Sequence, residues 1–420
     1  MPKVFTHTSP LPGDALDAFC ILQKGFTDQF VYYRKDRPVR YFGLGRCIAL
    51  GSREEMEYEC EGLPDAAPVL FTFNRFDAEN PKPADPLFSA FPRLRLLLPE
   101  VVLIENEKGA FLQVNSLGPV YPGRVGRFAR HADQAPRHTR ATIPYTLEPD
   151  SRDAWGGQVE AGLDAIAAGR LSKIVLSRRR RLVAAHPFSS KDLLVNLIDG
   201  PAQGTVFLYR YGDVFFCGCT PELLVRKRGS QVESMCLAGT IRNSTDASER
   251  ESLARALFAD EKNRREHEHV VAFLRSVMGR NCYGVGIPSE PTVVQAGQVQ
   301  HLMTPVSACM LEGRTLEDLA SQLSPTPALA GAPVGEALMA IREIEDYNRG
   351  FFGGTVGYVD GTGDGEISVA IRSGVFDGEM GWCYAGCGIV RGSEAAGEYD
   401  EIDLKLRAIL TAFDGEACND

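Results

Sequence analysis

The sequence has no long apolar segment and no excess of basic residues. No apolar run approaches the roughly 20 residues that a membrane-spanning helix needs, and the N-terminal segment Met1–His7 has no apolar core of the signal-peptide type. The formal net charge is -10, whereas general binding to nucleic acids or membrane surfaces requires a basic face. We therefore expect a cytoplasmic protein with no nucleic-acid or membrane partner, in which any anionic ligand is held by a local site.

Histidine is also scarce, and the cysteines form no recognisable pattern. The chain has 7 histidines and 11 cysteines, and the cysteines are scattered singly apart from Cys217 and Cys219. Neither a disulfide framework nor a zinc-ribbon spacing is present, so we expect reduced, packed thiols. His267 and His269 are predicted to lie on one helix, where side chains two positions apart point in different directions and cannot share one metal ion. A zinc site is therefore not expected.

The sequence does contain alternating strand-like and helix-like segments. Its 420 residues, 44% of them hydrophobic, suffice for a large buried core. The first third is rich in β-branched and aromatic segments separated by polar turns, which predicts an antiparallel sheet. Residues 115–150 have no clear period and predict a linker, and helices are predicted further on at Ala247–Met278, Leu316–Gln322 and Val334–Glu345. This order of elements is typical of an α+β fold with large antiparallel sheets.

One stretch near the C-terminus combines glycines, acids and a lysine. Gly386 and Gly388 are predicted to form a turn whose backbone N–H groups bind an anion such as a carboxylate. Glu398, Glu401 and Lys405 follow at helical spacing and share one stripe of a helix. Two acids and a cation beside an anion site suggest a divalent metal and an anionic ligand. An ordinary solvated helix with a Glu–Lys pair explains the same residues equally well.

Two further residues have the position of proton-transfer groups. Lys173 opens an apolar strand, where burial would depress its pKa from about 10.4, as a general base requires. The alternative is a lysine that extends to solvent beside the basic run Arg178–Arg181. Glu222 follows Pro221 directly after a strand, and a carboxyl group held there can act as a general acid if its pKa is raised. The same position equally suits an acid that only stabilises the start of a helix.

Glu266 is predicted to project from the apolar face of its helix. It continues the stripe formed by Val270, Leu274 and Val277. Because burying an unpaired carboxylate costs several kcal/mol, we expect a metal ion or an arginine as its partner. A pair of oxygen ligands such as Glu266 and Glu401 suits Mg²⁺, which keeps several waters and takes a substrate oxygen.

Several segments, in one consistent order, resemble those of the chorismate-utilising enzymes. This family includes anthranilate synthase large subunits, aminodeoxychorismate synthases, salicylate synthases and isochorismate synthases. The resemblance covers residues 170–410, with weaker similarity around Phe30–Arg46. Besides the C-terminal stretch, the matching segments are Lys173-Ile-Val-Leu-Ser-Arg, Gly218-Cys-Thr-Pro-Glu-Leu-Leu, Leu237-Ala-Gly-Thr-Ile-Arg, Glu261-Lys-Asn-Arg-Arg-Glu-His, Val299-Gln-His-Leu, Pro325-Thr-Pro-Ala-Leu-Ala-Gly, Arg349-Gly-Phe-Phe-Gly-Gly and Ala370-Ile-Arg-Ser.

The resemblance implies a single domain of two packed antiparallel sheets flanked by helices. Residues 1–145 would be its N-terminal sheet-rich part, and residues 150–415 would be the chorismate-binding catalytic region. Lys173 would be the base that activates water, and Glu222 the acid that protonates the departing C4 hydroxyl of chorismate. Further residues implied to form the site are Glu266 and Glu401 for Mg²⁺ with Glu398 nearby, Gly239, Thr240, Arg372, Gly386, Cys387, Gly388 and Lys405 for the carboxylates, and Ala328, Leu329 and Phe352 for the ring.

One position narrows the expected reaction. Members that make aminodeoxychorismate carry a lysine nucleophile where this chain has Ala238, whereas Lys173 is present as in the water-using members. The segments Glu261–His267 and Pro325–Ala328 resemble isochorismate synthases more closely than salicylate synthases. We therefore expect isochorismate synthase, an isomerase that reversibly moves a hydroxyl from C4 to C2. Menaquinone, siderophore and salicylate synthesis are all compatible uses of its product.

The alternatives are a salicylate synthase, which also eliminates pyruvate, and a relative that binds chorismate without turnover. Ser324 stands where the family usually has histidine, Asn348 replaces a usual aspartate and Cys387 a small alanine. The first departure is expected to alter the positioning of the ring, and it slightly favours the salicylate alternative because salicylate synthases also lack that histidine. Since water is the nucleophile, no glutamine amidotransferase subunit is expected, and the protein is predicted to be a monomer or a homodimer.

Overall fold

The computed structural model describes residues 1–62, 67–83, 86–92 and 95–414, so that residue 415, the last of the predicted catalytic region, lies outside the described residues. The strands in the described residues are β1 (Lys3–Pro10), β2 (Asp28–Arg34), β3 (Arg40–Leu44), β4 (Ile48–Leu50), β5 (Glu57–Gly62), β6 (Val69–Asn74), β7 (Leu96–Leu98), β8 (Val101–Asn106), β9 (Gly109–Ser116), β10 (Thr146–Leu147), β11 (Lys173–Val183), β12 (Thr205–Tyr211), β13 (Val214–Thr220), β14 (Leu223–Arg228), β15 (Gln231–Arg242), β16 (Cys282–Gly286), β17 (Thr292–Ala296), β18 (Val299–Met310), β19 (Gly331–Ala332), β20 (Thr355–Asp360), β21 (Gly365–Val369), β22 (Ser373–Asp377) and β23 (Met380–Ile389).

Helices flank these strands, and polar residues define where several of them begin. The side chains of Ser151, Asp246, Asp260 and Thr315 each accept a hydrogen bond from a backbone N–H of the first turn that follows. The α-helices are α1 (Ala15–Leu22), α2 (Pro86–Ser89), α3 (Pro122–Asp133), α4 (Arg152–Ala167), α5 (Ser190–Asp199), α6 (Ala247–Ala259), α7 (Glu261–Asn281), α8 (Leu316–Leu323), α9 (Val334–Ile344) and α10 (Ala395–Leu410).

Two helical features differ from the expectation. The single helix predicted over Ala247–Met278 is two helices, α6 and α7, separated at Asp260. Asp260 has extended backbone angles and its side chain accepts a hydrogen bond from the N–H of Asn263, so it ends one helix and caps the next. The predicted linker at residues 115–150 contains α3 and the short strand β10, which pairs with β11. The helices predicted at Leu316–Gln322 and Val334–Glu345 are present as α8 and α9.

The larger sheet joins the N-terminal and C-terminal parts of the chain. Its strand order is β10-β11-β23-β22-β13-β12-β2-β3-β8-β9-β1-β5, with β19 also paired to β11. Adjacent strands are antiparallel except β1 and β5. The pairing of β2 with β12, in which Val31 lies opposite Leu208, links the two parts. The division into residues 1–145 and 150–415 stays a prediction. The larger sheet contains strands from both of these parts.

The second sheet packs face to face on the first through aromatic side chains. Its strand order is β16-β18-β15-β14-β21-β20-β6-β7-β4, with β17 also paired to β18. Phe30 of the first sheet stacks on Phe71 of the second at 5.6 Å between ring centroids, and Tyr32 contacts Tyr358 at 5.2 Å. The expected α+β architecture of two large packed antiparallel sheets with flanking helices is therefore confirmed.

Two predicted absences can be compared with the described part of the chain. No helix in residues 1–62, 67–83, 86–92 and 95–414 is long and apolar enough to cross a membrane. Apart from Cys60, the cysteines within these residues are free thiols, and all of these are buried or half-buried. Burial raises the pKa of the Cys217 and Cys387 thiols, as expected for packed, unreactive groups.

Candidate active site

Lys173 lies at the start of β11, between two strands. Its backbone is opposite Ala332 of β19, and the next residue, Ile174, is opposite Ile389 of β23. The side chain is 0% exposed, so the alternative of a lysine extended to solvent is wrong. Its Nζ donates a hydrogen bond to Glu266 Oε1 at 2.8 Å. Glu266 lies on the apolar face of α7 and needs a counter-charge there, which this ion pair provides.

The segment from Gly386 to Gly388 is part of strand β23 and not the predicted turn. Gly388 is opposite Val175 of β11, and Gly386 is opposite Ser177. The N–H of Val175 donates to Ala330 O and the N–H of Ser177 donates to Glu345 Oε1, so both point away from β23. In an antiparallel ladder the opposite residues then also direct their N–H and C=O groups outward.

These outward-pointing N–H and C=O groups lie beyond the end of the neighbouring strand, β22. The pairing of β22 with β23 covers residues 380 to 384 of β23 and extends no further. Beyond it, Gly386 O accepts a hydrogen bond from Lys405 Nζ at 3.0 Å, and both Gly386 and Gly388 line a cleft. The predicted anion-binding N–H groups are thus those of an open strand edge, which is a different local structure from a turn.

Gly388 also leaves the space that the Lys173–Glu266 pair occupies. A Cβ at position 388 would lie 2.6 Å from Glu266 Oε1 and 2.9 Å from Lys173 Cε. A side chain larger than hydrogen would therefore displace the ion pair. The glycine is required here for close packing of a side chain on the backbone.

Glu222 lies between β13 and β14 and is buried. Its N–H donates to the hydroxyl of Thr220 at 3.2 Å, which fixes the short connection around Pro221. Burial raises the pKa of the Glu222 carboxyl to about 7, although the positive charges of Lys173, Lys405 and Arg372 oppose the shift. A carboxyl group with such a pKa is protonated in a substantial fraction of molecules at neutral pH, as a general acid must be.

Three carboxylates, predicted to bind a metal ion, are each paired with a lysine. The pairs are Lys173 with Glu266 at 2.8 Å, Lys262 with Glu398 at 2.8 Å and Lys405 with Glu401 at 2.7 Å. Lys262 extends from α7 to α10 and was not expected at the site. Lys262 belongs to the segment Glu261–His267, which resembles the family. Glu398 lies 136 positions further along the chain, and no local spacing rule predicts their pairing.

The lysines and carboxylates shift one another's proton affinities. The pKa of Glu266 is lowered because the charge and hydrogen bond of Lys173 outweigh the effect of burial. The pKa of Glu401 is raised by burial, and the negative charges of Glu398 and Glu266 add to this effect against Lys405. Glu401 is therefore close enough to each of the other two acids to be repelled by it, which a cation would relieve.

The carboxylate oxygens do not converge on one point in this arrangement. Among the described residues, the group of acidic, histidine and cysteine side chains whose ligand atoms all lie within 4.8 Å is Asp14, Asp17 and His138. Asp14 caps α1, and His138 is bound by Asp17 and Asp199, so that this cluster is internally satisfied. The metal role of Glu266, Glu398 and Glu401 stays a prediction.

A cleft whose open space, including solvent at its mouth, is about 730 Å³ brings most of the predicted residues together. The predicted residues that line it are Glu222, Gly239, Thr240, Glu266, Ala328, Leu329, Phe352, Arg372, Gly386, Cys387, Gly388 and Lys405. Lys173, Glu398 and Glu401 do not line it. Lys173 is paired with Glu266 and Glu401 is paired with Lys405, and both of these partners line the cleft.

Arg372 lies in the cleft with an uncommon backbone conformation. Its φ of 52° is in the left-handed region, where a non-glycine residue is strained. Its guanidinium donates to Ala296 O at 3.2 Å and to His301 Nε2 at 3.1 Å. Burial lowers the pKa of Arg372 from its ordinary value. A positive charge held in a buried position is suited to an anionic ligand.

His301 and Arg349 line the cleft but were not predicted as site residues. His301 is opposite Thr240 in the pairing of β15 with β18, and its Nδ1 is 3.1 Å from the Thr240 hydroxyl. Burial and the charge of Arg372 hold the pKa of His301 well below its ordinary value, so the imidazole is neutral. Arg349 donates to Val175 O, Leu329 O and Glu345 and so fixes the wall of the cleft. Both residues belong to segments that the resemblance includes, which was the available signal. Other lining residues not predicted are Val175, Pro221, Leu237, Ala238, Ile371 and Ala385.

Two of the three positions that depart from the family pattern do not line the cleft. Ser324 follows α8 and lines a separate depression with Thr72 and Glu317. The expectation that it alters ring positioning therefore has no support in the geometry. Asn348 is buried, donates to Lys82 O and accepts from the N–H of Gly350. Cys387 does line the cleft.

Known proteins match this chain over most of its length. A family model described as chorismate binding enzyme matches residues 32–414. Isochorismate synthase MenF of Bacillus subtilis is 32% identical over 368 residues, which cover 86% of this chain and 78% of that protein. The salicylate biosynthesis isochorismate synthase of Pseudomonas aeruginosa is 32% identical over 360 residues, which cover 83% of this chain and 74% of that protein.

Solved structures share the fold. The menaquinone-specific isochorismate synthase MenF of Escherichia coli superposes with a TM-score of 0.81 and 24% identity, covering 99% of this chain and 95% of that one. Anthranilate synthase component I of Streptococcus pneumoniae superposes with a TM-score of 0.70 and 21% identity, covering 96% and 92%. The architecture described above is therefore shared with these two proteins.

Proposed function

The chain belongs to the chorismate-binding enzyme family, and on that premise we propose that it is an isochorismate synthase, an isomerase. The relatives from B. subtilis and P. aeruginosa are both named as isochorismate synthases. The observation that carries the proposal is the cleft, in which a buried acid with a raised pKa shares the lining with the cationic residues Arg372 and Lys405, while the buried Lys173 is paired with the lining residue Glu266. Chorismate, a small dicarboxylate, suits this combination.

The proposed reaction exchanges one hydroxyl for another. The oxygen of a water molecule bonds to C2 of chorismate while its proton passes to Lys173, and the ring double bonds shift. The bond between C4 and its hydroxyl oxygen breaks, and Glu222 donates the proton with which that hydroxyl leaves as water. Water is consumed and released, so the net change is an isomerisation.

The substrate carboxylates are proposed to bind at the charged end of the cleft. Arg372, Lys405 and the outward N–H groups of Gly386 and Gly388 provide donors for them. Gly239 and Thr240 line the cleft at β15. The ring is proposed to contact the apolar part of the lining, formed by Ala328, Leu329 and Phe352, with Cys387 beside it.

The residues present fit a hard divalent cation. Glu266, Glu398 and Glu401 offer oxygen ligands alone, and their mutual repulsion favours a cation among them. The family is metal-dependent in general, and we propose Mg²⁺ bound by Glu266 and Glu401, with Glu398 beside them. When bound, the ion would neutralise and orient the ring carboxylate.

The proposed partners follow from the same chemistry. Because water and not ammonia is the nucleophile, we propose that no glutamine amidotransferase subunit is required. We further propose that the enzyme acts in the cytoplasm as a monomer or a homodimer.

Ser324 no longer favours the salicylate alternative by its position, because it lies outside the cleft.

Product analysis tests the reaction. The purified protein is incubated with chorismate and Mg²⁺, and the products are separated by chromatography at several times. Isochorismate that reaches a constant ratio to chorismate from either direction is the expected result. Salicylate and pyruvate formed without an added lyase would replace the proposal with a salicylate synthase. Binding of chorismate by calorimetry with no product over hours would identify a relative without turnover.

A further inference from the structure

The three lysines that hold the proposed metal ligands differ in their freedom to move. Lys173 is 0% exposed and is held in a strand that pairs on both sides. Lys405 donates to Gly386 O as well as to Glu401. Lys262 has a side chain that is 36% exposed, and Glu398 is the hydrogen-bond acceptor that the described residues provide for it. Lys262 can therefore turn its ammonium group into solvent, where water hydrates it, whereas Lys173 and Lys405 are held by their surroundings.

Glu398, by contrast, cannot remain without a partner. Its side chain is 5% exposed, and it lies at the start of α10 on the same face as Glu401. A buried carboxylate without a counter-charge is strongly destabilising, most of all beside a second carboxylate. Lys262 supplies that counter-charge across the gap between α7 and α10.

We propose that Lys262 is a displaceable counter-ion that occupies Glu398 until a divalent cation replaces it, and that it thereby sets the affinity of the site for the cation. The ammonium group and the cation compete for the same carboxylate, and the positive charge of Lys262 repels an ion bound nearby. The inference rests on the proposed metal site. It assigns to Lys262 a role that neither acid–base chemistry nor substrate binding requires.

This role predicts opposite effects on the two states of the protein. Removing the ammonium group eliminates the competitor, so the loaded state is favoured. It also leaves Glu398 unpaired in the metal-free state, so that state is destabilised. A residue that only fixed α7 against α10 would weaken both stability and cation binding. The direction of the change in cation affinity therefore separates the two roles.

Calorimetric titration of the substrate-free protein with Mg²⁺ alone measures that direction. Lys262→Met is expected to bind Mg²⁺ about tenfold more tightly than the unmodified protein, since one nearby positive charge is lost. Lys262→Arg keeps the charge and is expected to stay within about threefold. Lys191→Met is the matched control, because Lys191 is similarly exposed and paired with an acid, Asp192. Its affinity for Mg²⁺ is expected to be unchanged.

Thermal unfolding supplies the second measurement. Metal-free Lys262→Met is expected to melt below the unmodified protein. Saturating Mg²⁺ is expected to raise the melting temperature of Lys262→Met by more than it raises that of the unmodified protein. If this variant does not fold, Lys262→Met combined with Glu398→Gln removes the unpaired charge and is titrated instead. That double variant is expected to bind Mg²⁺ more tightly than Glu398→Gln alone by less than threefold, since no carboxylate remains for the lysine to occupy.

Three negative outcomes have different meanings. Unmodified protein that binds Mg²⁺ while Lys262→Met binds it equally or more weakly would overturn the counter-ion role and leave the metal site intact. In the double-variant test, a gain of tenfold over Glu398→Gln would overturn competition at Glu398. Unmodified protein that binds no Mg²⁺ would overturn the metal site of the proposed function, and the counter-ion role with it.

Discussion

The strand pair β11 and β23 and the helix pair α7 and α10 form the same site in different ways. On the strands, Lys173 is fully buried and Gly388 is so closely packed that one methyl group would meet Glu266 and Lys173. On the helices, Glu398 is reached by a half-exposed lysine, and a Cβ at Gly397 would meet nothing within 4 Å. The strands thus fix groups that have no alternative position, whereas the helices carry charges that can exchange partners.

The largest effect should follow from removing the buried lysine of the strand pair. Lys173→Met keeps the length of the side chain but removes the proposed base and the counter-charge of Glu266. We expect kcat to fall about 10³-fold or more, within the range of general base catalysis. Steady-state rates of isochorismate formation measure this. Lys3→Met, which removes an exposed lysine paired with Glu59, is the control and should leave the rate unchanged. Activity within tenfold of the unmodified enzyme would exclude Lys173 as the base.

The next effect concerns the acid, and it depends on pH. The general acid must be protonated, and the pKa of Glu222 is raised to about 7. Activity should therefore fall as the pH rises through about 7. Glu222→Gln is expected to lower kcat by about 10²-fold or more and to remove this alkaline limb. A pH–rate profile of both proteins measures it, and an unchanged limb in Glu222→Gln would assign the titration to another group.

The same shift has a consequence for stability that tests the burial of Glu222 without substrate. Between its ordinary pKa of 4.5 and the folded value of about 7, the folded state retains a proton that the unfolded state has lost. The stability contributed by this group therefore decreases as the pH rises across that window. The glutamine of Glu222→Gln cannot ionise. The melting temperature of this variant should therefore rise relative to that of the unmodified protein as the pH increases from 5 to 8. A constant difference would contradict the raised pKa.

A smaller effect is expected where the strands leave no room. The methyl group of Gly388→Ala would lie 2.6 Å from Glu266 Oε1, so the ion pair with Lys173 must shift. We expect a loss of about 1–3 kcal/mol in the free energy of unfolding, as is typical of overpacked sites. A drop in kcat/KM of about 10-fold to 100-fold should accompany it, because the proposed base moves. Denaturant titration and kinetics on one preparation measure both. Normal values for both would show that the site accommodates the methyl group.

The contrast between strands and helices also explains what the sequence could reveal. Lys173 and Glu222 were predicted because strand alternation and a proline turn are local signals, and the resemblance supplied their roles. Gly386 and Gly388 were assigned to a turn because glycine usually marks one, whereas here it provides space beside Glu266 in a paired strand. Local sequence does not state which distant side chain a glycine must admit.

Residues that depend on distant pairing were harder to foresee. His301 reaches Thr240 because β18 pairs with β15 in one register. Lys262 reaches Glu398 because α7, which packs on the second sheet, and α10, which packs on the first, approach each other although they are far apart in the chain. The break at Asp260 is not predicted for another reason, since no glycine or proline marks it and the side chain of Asp260 caps the helix that follows. Periodicity identifies buried faces but not the partners of charged residues.

The smallest effect is expected for the glycine of the helix pair. Gly397 lies in the first turn of α10, one residue before Glu398, and is exposed with open space around its Cα. Gly397→Ala should therefore raise the free energy of unfolding by about 0.5–1 kcal/mol, because alanine loses less backbone entropy in a helix. It should leave kcat/KM unchanged, although it adds the same methyl group as Gly388→Ala. Denaturant titration of the two variants side by side checks this. If Gly397→Ala also lost activity, the start of α10 would have to be as tightly constrained as the strands, and the proposed exchange of partners at Glu398 would lose its structural basis.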